Sequence, residues 1–277
     1  MLSLSLLSAA LTIGPSLVSA AIFAKNSGVT MLDQPAFRKA MKANETSMVA
    51  FVAPWCGHCQ RMTPEYSKAA KNMSPLIPFY AVDCDDDKNK PLCAEQGVQG
   101  FPTVKVFPRG KDQAPMTYQG ERTAGAFVKY VSLRVPQANN KKLSSLDDIE
   151  TWVDKTSKSP KPRALLLTKE KKVPLLWKVL SNKYQSQIEL AIHKDEDGKS
   201  AAKLLGVEGS DGSKVLVYQP GETSPTRYEG KTKFEPLTAF FNELVGSGDE
   251  KVEKKEKKAK EKKAKKSTSE EEHHDEL

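Results

Sequence analysis

Apolar residues fall into the same succession of strand-like and helix-like runs twice in this chain, from about residue 25 to 136 and again from about 141 to 246. In the first stretch Asp33 is placed to cap a helix through Met41, and Met48 to Ala53 is an unbroken apolar run of buried-strand length. A helix follows from Cys56 to about Asn72, with a kink at Pro64. Then come a strand at Pro78 to Asp83, a short helix near Lys88 to Gln96, strands at Thr103 to Phe107 and Met116 to Gln119, and a closing helix from Thr123 to Leu133. The second stretch begins with a helix capped by Ser144 or Ser145, followed by a strand from Arg163 to Leu167 and a helix from Pro174. Strands at Ile188 to Ile192, Lys214 to Tyr218 and Thr226 to Tyr228 precede a last helix from Phe234 to Val245. Each stretch predicts a mixed sheet covered by helices on both faces. With 277 residues the chain is long enough for two such domains, each with its own core.

The ends of the chain point to a compartment. No charged side chain occurs from Met1 to Ala24, and a Leu/Ile-rich run leads to the small-x-small pattern Val18-Ser19-Ala20. This predicts a secretory signal peptide over residues 1–20, although a basic start is missing. A signal anchor is the alternative, weakened by Gly14, Pro15 and five serines. Nothing downstream could span a bilayer. The chain closes on His274-Asp275-Glu276-Leu277, the HDEL form of an endoplasmic-reticulum retention address. The two ends support each other and predict a protein of the endoplasmic-reticulum lumen, with the HDEL receptor as one partner. The tail, residues 247–277, has almost no large apolar group and should be a solvated linker or a fraying helix. Residues 249–266 carry ten lysines and five acids, and residues 267–277 carry five acids and no lysine. The tail therefore sums to zero, and the formal +8 of the chain is spread through the folded part. That pattern does not describe a nucleic-acid-binding arm.

Four cysteines are too few for a disulfide scaffold, and none follows Cys93. Cys56 and Cys59 stand three apart, where a strand gives way to a helix. The first sulfur is thus predicted at a helix N-terminus, where free N–H groups and the helix dipole favour negative charge. Cys59 lies one turn further on the same face. Lowering a thiol from a pKa of ~8.5 to ~5 raises its thiolate fraction at neutral pH about 30-fold, yet the accompanying loss of nucleophilicity is roughly 40-fold. The gain is therefore in Cys56 as a leaving group and in the stability of the reduced pair. His58, between the sulfurs, would stabilise the Cys56 thiolate when protonated. An oxidising compartment weakens the zinc alternative, and no metal or other cofactor is expected beyond the sulfur pair.

Ala53-Pro54-Trp55-Cys56-Gly57-His58-Cys59, followed by Val98-Gln99-Gly100-Phe101-Pro102-Thr103-Val104, resembles the catalytic thioredoxin domain of the protein disulfide isomerases. The resemblance covers residues 25–136. Residues 141–246 resemble, in pattern only, the redox-inactive thioredoxin-like domain of these enzymes, and the whole is similar to short fungal members of the family. It implies an α/β fold of two tandem thioredoxin-like domains with a charged C-terminal tail. It also implies thiol–disulfide exchange on unfolded or partly folded secretory proteins, with an upstream oxidase of the endoplasmic reticulum or glutathione as redox partner. Cys56, Gly57, His58, Cys59 and Arg122 would form the catalytic group. Trp55, Phe101 and Pro102 would meet substrate, with the Phe101–Pro102 bond cis, and Arg122 would adjust the buried thiol. The family's buried glutamate six residues before the first cysteine is Ala50 here, so Cys59 needs another proton route. The family's lysine after the second cysteine is Gln60, with Arg61 beside it.

Cys84 and Cys93 are left to each other, and similar family members bridge them. Two free thiols or a regulatory couple are the alternatives. Asn44 and Asn72 begin glycosylation acceptor triplets. A rival class for the whole protein is a chaperone or adaptor whose redox couple is regulatory.

Overall fold

The computed structural model describes residues 22–43, 45–137, 140–206 and 212–246. The predicted signal peptide, Asn44, the tail and its HDEL end lie outside them. Each block folds around a five-stranded mixed sheet. The first contains β1 (Val29–Met31), β2 (Ser47–Val52), β3 (Phe79–Asp83), β4 (Thr103–Phe107) and β5 (Met116–Thr117), in the order β1-β3-β2-β4-β5. Its helices are α1 (Gln34–Lys42), α2 (Gly57–Met73), α3 (Lys90–Glu95) and α4 (Ala124–Arg134). The central strand β2 is buried along its whole length. Met48, Ala50 and Val52 join the cluster made with α2 and α4, while Val49 and Phe51 join the one made with α1 and α3. Burial on both faces explains why β2 reads as an unbroken apolar run instead of alternating.

The second sheet contains β6 (Asn140–Leu143), β7 (Arg163–Thr168), β8 (Glu189–Lys194), β9 (Lys214–Tyr218) and β10 (Thr226–Arg227), in the order β10-β9-β7-β8-β6. Helices α5 (Leu146–Thr156), α6 (Leu175–Lys183), α7 (Lys199–Leu205) and α8 (residues 234–246) cover it. Strand for strand this is the first sheet again, with β7 in the place of β2, parallel to one neighbour and antiparallel to the other. The likeness extends to Tyr118-Gln119-Gly120 and Tyr228-Glu229-Gly230. In each, the tyrosine hydroxyl donates to a carbonyl three residues on, that of Glu121 or Lys231. A Cβ on Gly120 or Gly230 would lie 2.5 or 2.2 Å from that hydroxyl, so only glycine fits.

Helix starts follow local chemistry. The Asp33 and Thr123 side chains accept from the N–H groups of Ala36 and Ala126. Of the two candidate serines, Ser145 is the cap, in a reciprocal box with Asp148. Pro64 lies within α2, which continues past it. The elements missing from the sequence reading are β1, β6, α7 and a 3-10 turn at Gly110–Asp112. β1 has three residues and β6 reads Asn-Lys-Lys-Leu, so neither shows a usable period, and each exists by parallel pairing to β3 or β8. α7 is seven residues long, bounded by Gly198 and Gly206 at φ 75° and 66°.

The two domains touch. Leu175 and Val179 of α6 pack on the first core, Asn182 donates to the Pro136 carbonyl at 2.7 Å, and Lys183 pairs with Glu45 at 3.1 Å.

Candidate active site

β2 delivers the chain to the edge of the first sheet, and Ala53 to Cys59 turn it into α2. The Cys56 N–H donates to the Ala53 carbonyl, and the Gln60 N–H donates to the Cys56 carbonyl, both at 3.1 Å. Cys56 is the N-cap of α2 with extended backbone (φ −78°, ψ 111°). Both cysteines are thiols, the first half-buried and the second fully buried.

Their environments push them in opposite directions. Partial burial raises the Cys56 thiol. The Cys59 thiol, the N–H groups of Cys59 and His58 and the Arg122 charge more than offset this, leaving it below its ordinary 9.0. Burial pushes Cys59 up to about 12, helped by the Cys56 sulfur and opposed by the Ala53 backbone and Arg122. The helix start thus stabilises an anion at position 56 and the apolar core disfavours one at position 59.

His58 is exposed between the two cysteines, and its backbone N–H is among the groups that lower the Cys56 thiol. Arg122, just ahead of α4, is exposed, and its charge reaches both sulfurs. Gly57 is the first residue of α2, and the Gln60 side chain donates to the Pro54 carbonyl at 2.8 Å.

The Phe101–Pro102 bond is cis, as is Ser74–Pro75, which the sequence reading did not single out. The Cys56 thiol donates to the Phe101 carbonyl at 3.5 Å, so the loop before β4 lies against the sulfur. Trp55 is 65% exposed beside it, its ring meeting Phe101 edge-on at 5.9 Å. Ala50 faces the α2 side of β2, in the same apolar cluster as Cys59. Glu65, the one carboxylate of α2, is engaged elsewhere, accepting from the Ala124 N–H at 2.7 Å.

Cys84 and Cys93 are bonded, with Cα atoms 6.0 Å apart. Asn72 is exposed near the end of α2. Among the described residues no group of three or more His, Cys, Asp or Glu could hold a metal ion, and no helix is long and apolar enough to cross a membrane.

Asp85 is a site residue the sequence reading missed. Its carboxylate accepts from Trp55 Nε1 at 2.9 Å, across 30 residues of sequence. Its position beside Cys84 gave no sign of this contact. A hydrogen bond to a charged group contributes about 1.5–3 kcal/mol when shielded, and solvent screening at this exposed pair reduces it to about 1 kcal/mol. Asp85→Ala should therefore loosen Trp55 and raise KM for a polypeptide substrate roughly three- to tenfold, with the Cys56 pKa unchanged. Steady-state kinetics check this, and an unchanged KM would remove Trp55 from the substrate surface.

A sheet of this order with a dithiol at the start of its second helix defines a thioredoxin-fold domain, and the Thioredoxin family model matches residues 28–133. Protein disulfide-isomerase MPD1 of Saccharomyces cerevisiae is 30% identical over 238 residues, covering 74% of each chain. The chain belongs to the protein disulfide-isomerase family. A protein disulfide-isomerase of Arthroderma benhamiae is 30% identical over 88% of this chain and 45% of its own length. A mitochondrial thioredoxin domain-containing protein of Schizosaccharomyces pombe is 39% identical over 56% of this chain and 43% of its own. The chain spans about half the length of several curated relatives it matches. Among solved structures, ERdj5 form I has a TM-score of 0.60 at 17% identity, covering 81% of this chain and 30% of that one, a likeness of fold.

Proposed function

We propose that this protein is a thiol–disulfide oxidoreductase acting on the disulfides of folding polypeptides in the lumen of the endoplasmic reticulum. The observation that carries the reading is the pair of thiols on one helical turn, one reachable and acidic, the other buried and alkaline. The Cys56 thiolate attacks one sulfur of a substrate disulfide. The S–S bond breaks, a Cys56–substrate disulfide forms, and the other substrate sulfur leaves as a thiolate that takes up a proton. Attack by a second substrate thiol on the substrate sulfur of that bond regenerates Cys56, a net isomerisation. Alternatively Cys59 loses its proton and attacks Cys56, releasing the substrate dithiol and leaving the Cys56–Cys59 disulfide, so that the substrate is reduced by two electrons. The reverse sequence oxidises a substrate dithiol. Trp55 and the Phe101–Pro102 loop offer an apolar and backbone surface to the polypeptide next to the sulfur.

The HDEL end and the uncharged N-terminal segment support the lumenal location, although one relative is mitochondrial. Unfolded secretory chains, an oxidase of the compartment or glutathione, and the HDEL receptor are the partners this location supplies.

Alkylation as a function of pH tests the chemistry. The rate at Cys56 should rise through a midpoint below 9.0. Cys59 should resist modification until pH approaches about 12. A midpoint at or above the ordinary thiol value for Cys56 overturns the assignment. A reduction potential for the pair of about −180 mV would favour oxidation and isomerisation, and about −270 mV reduction.

A further inference from the structure

In the second domain, the sheet edge that corresponds to the dithiol end of the first is occupied by charge. β6, β7 and β8 are parallel, so their C-terminal ends share that edge. A cleft of about 330 Å³ opens there, with Lys142 from β6, Lys194 from β8, and Lys171 and Lys172 from the loop between β7 and α6, against one acid, Glu170. Lys194 pairs with Glu196. Lys142, Lys171 and Lys172 are exposed and make no ion pair among the described residues. One turn into α6, burial lowers the Lys178 amine and the charges of Lys142 and Lys172 lower it further. The first turn of α6 adds no acid, and its N-cap is Pro174, without a side-chain cap.

Like charges brought together from separate segments around a concave surface repel one another and create a field that an anion relieves. The shape of the charge says what kind of anion. The lysines are spread over neighbouring strands and a loop. A compact anion would meet only part of that array, whereas carboxylates along an extended chain, about 3.3 Å apart per residue, can meet all of it. The C-terminal edge of parallel strands is also where open α/β sheets take their ligands.

We propose that this cleft binds the acidic segment 267–277 of the chain itself, which carries Glu270, Glu271, Glu272, Asp275 and Glu276. The twenty residues between 246 and 267 can extend to about 65 Å, well beyond the roughly 35 Å width of a domain of about 100 residues. Binding here requires no sulfur, so it stands or falls independently of the oxidoreductase reading.

The test is fluorescence anisotropy of a labelled peptide with the sequence of residues 267–277, titrated with the full chain under reducing conditions. Affinity should fall as salt is raised and vanish for a peptide whose acids are replaced by their amides. The combined change Lys142→Glu, Lys171→Glu and Lys172→Glu should weaken binding about tenfold or more, with the corresponding glutamines giving a smaller loss. Reversing Lys257, Lys258 and Lys260 in the tail should have little effect. Undiminished binding by both cleft variants, equal loss on reversing the tail lysines, or complete displacement by inorganic phosphate each overturns the proposal. Self-occupancy is read from a full chain with Glu270, Glu271, Glu272, Asp275 and Glu276 changed to their amides. This chain should capture added peptide more tightly because its own segment no longer competes, and equal capture overturns the proposal, pointing to a segment from a partner instead.

Discussion

Replacing Cys56 by serine is expected to lower reduction of a polypeptide disulfide by about 10³-fold or more, because the step depends on an anionic sulfur nucleophile. A serine hydroxyl at the same helix start remains neutral near pH 7. The helix N–H groups, the Cys59 thiol and Arg122 lower a thiol that is already close to ionising, but none of them is a base that could activate an alcohol. Cys59→Ser should behave differently. Cys56 still attacks, but the exit by intramolecular resolution is lost, and a Cys56–substrate disulfide should accumulate as a band on a non-reducing gel. Retention of activity within tenfold in Cys56→Ser would contradict the mechanism. Full function of the doubly substituted chain in folding assays would favour the chaperone or adaptor reading instead.

Placing a carboxylate at position 50 should accelerate the resolving step about 10²-fold, the lower range for a positioned proton acceptor. Cys59 is fully buried among groups that include Ala50, Val52, Met62 and Tyr66. Burial pushes its thiol up to about 12, and the charge acting against this is that of Arg122, which cannot accept a proton. Resolution therefore waits on rare ionisation, and its rate should climb with pH towards 12. In Ala50→Glu the new carboxylate, on the α2 side of β2, supplies a local base, and the pH dependence should flatten above its own pKa. Release of a chromogenic thiol from a Cys56 mixed disulfide measures the step directly. Ala50→Gln adds the same bulk without the base, so equal rates in the two variants would show that proton acceptance does not limit resolution.

Local information reached far into this protein. The strand run before Cys56 and the Asp33, Thr123 and Ser145 caps depend on neighbours within a few residues. So do the helix start that makes position 56 an anion site and the i, i+3 placement of Cys59, and each follows from backbone geometry and burial without reference to the rest of the chain. The doubled order of elements carried the two-domain architecture for the same reason. Contacts between segments distant in sequence required the folded chain. β1 and β6 exist because β3 and β8 present open edges to them. The Trp55–Asp85 hydrogen bond, the reach of Arg122 to both sulfurs and the meeting of Lys142, Lys171, Lys172 and Lys194 at one cleft have no short-range signature. Periodicity and capping are properties of a short stretch of backbone, whereas the field and the partners around a side chain are summed over every segment that packing brings near it.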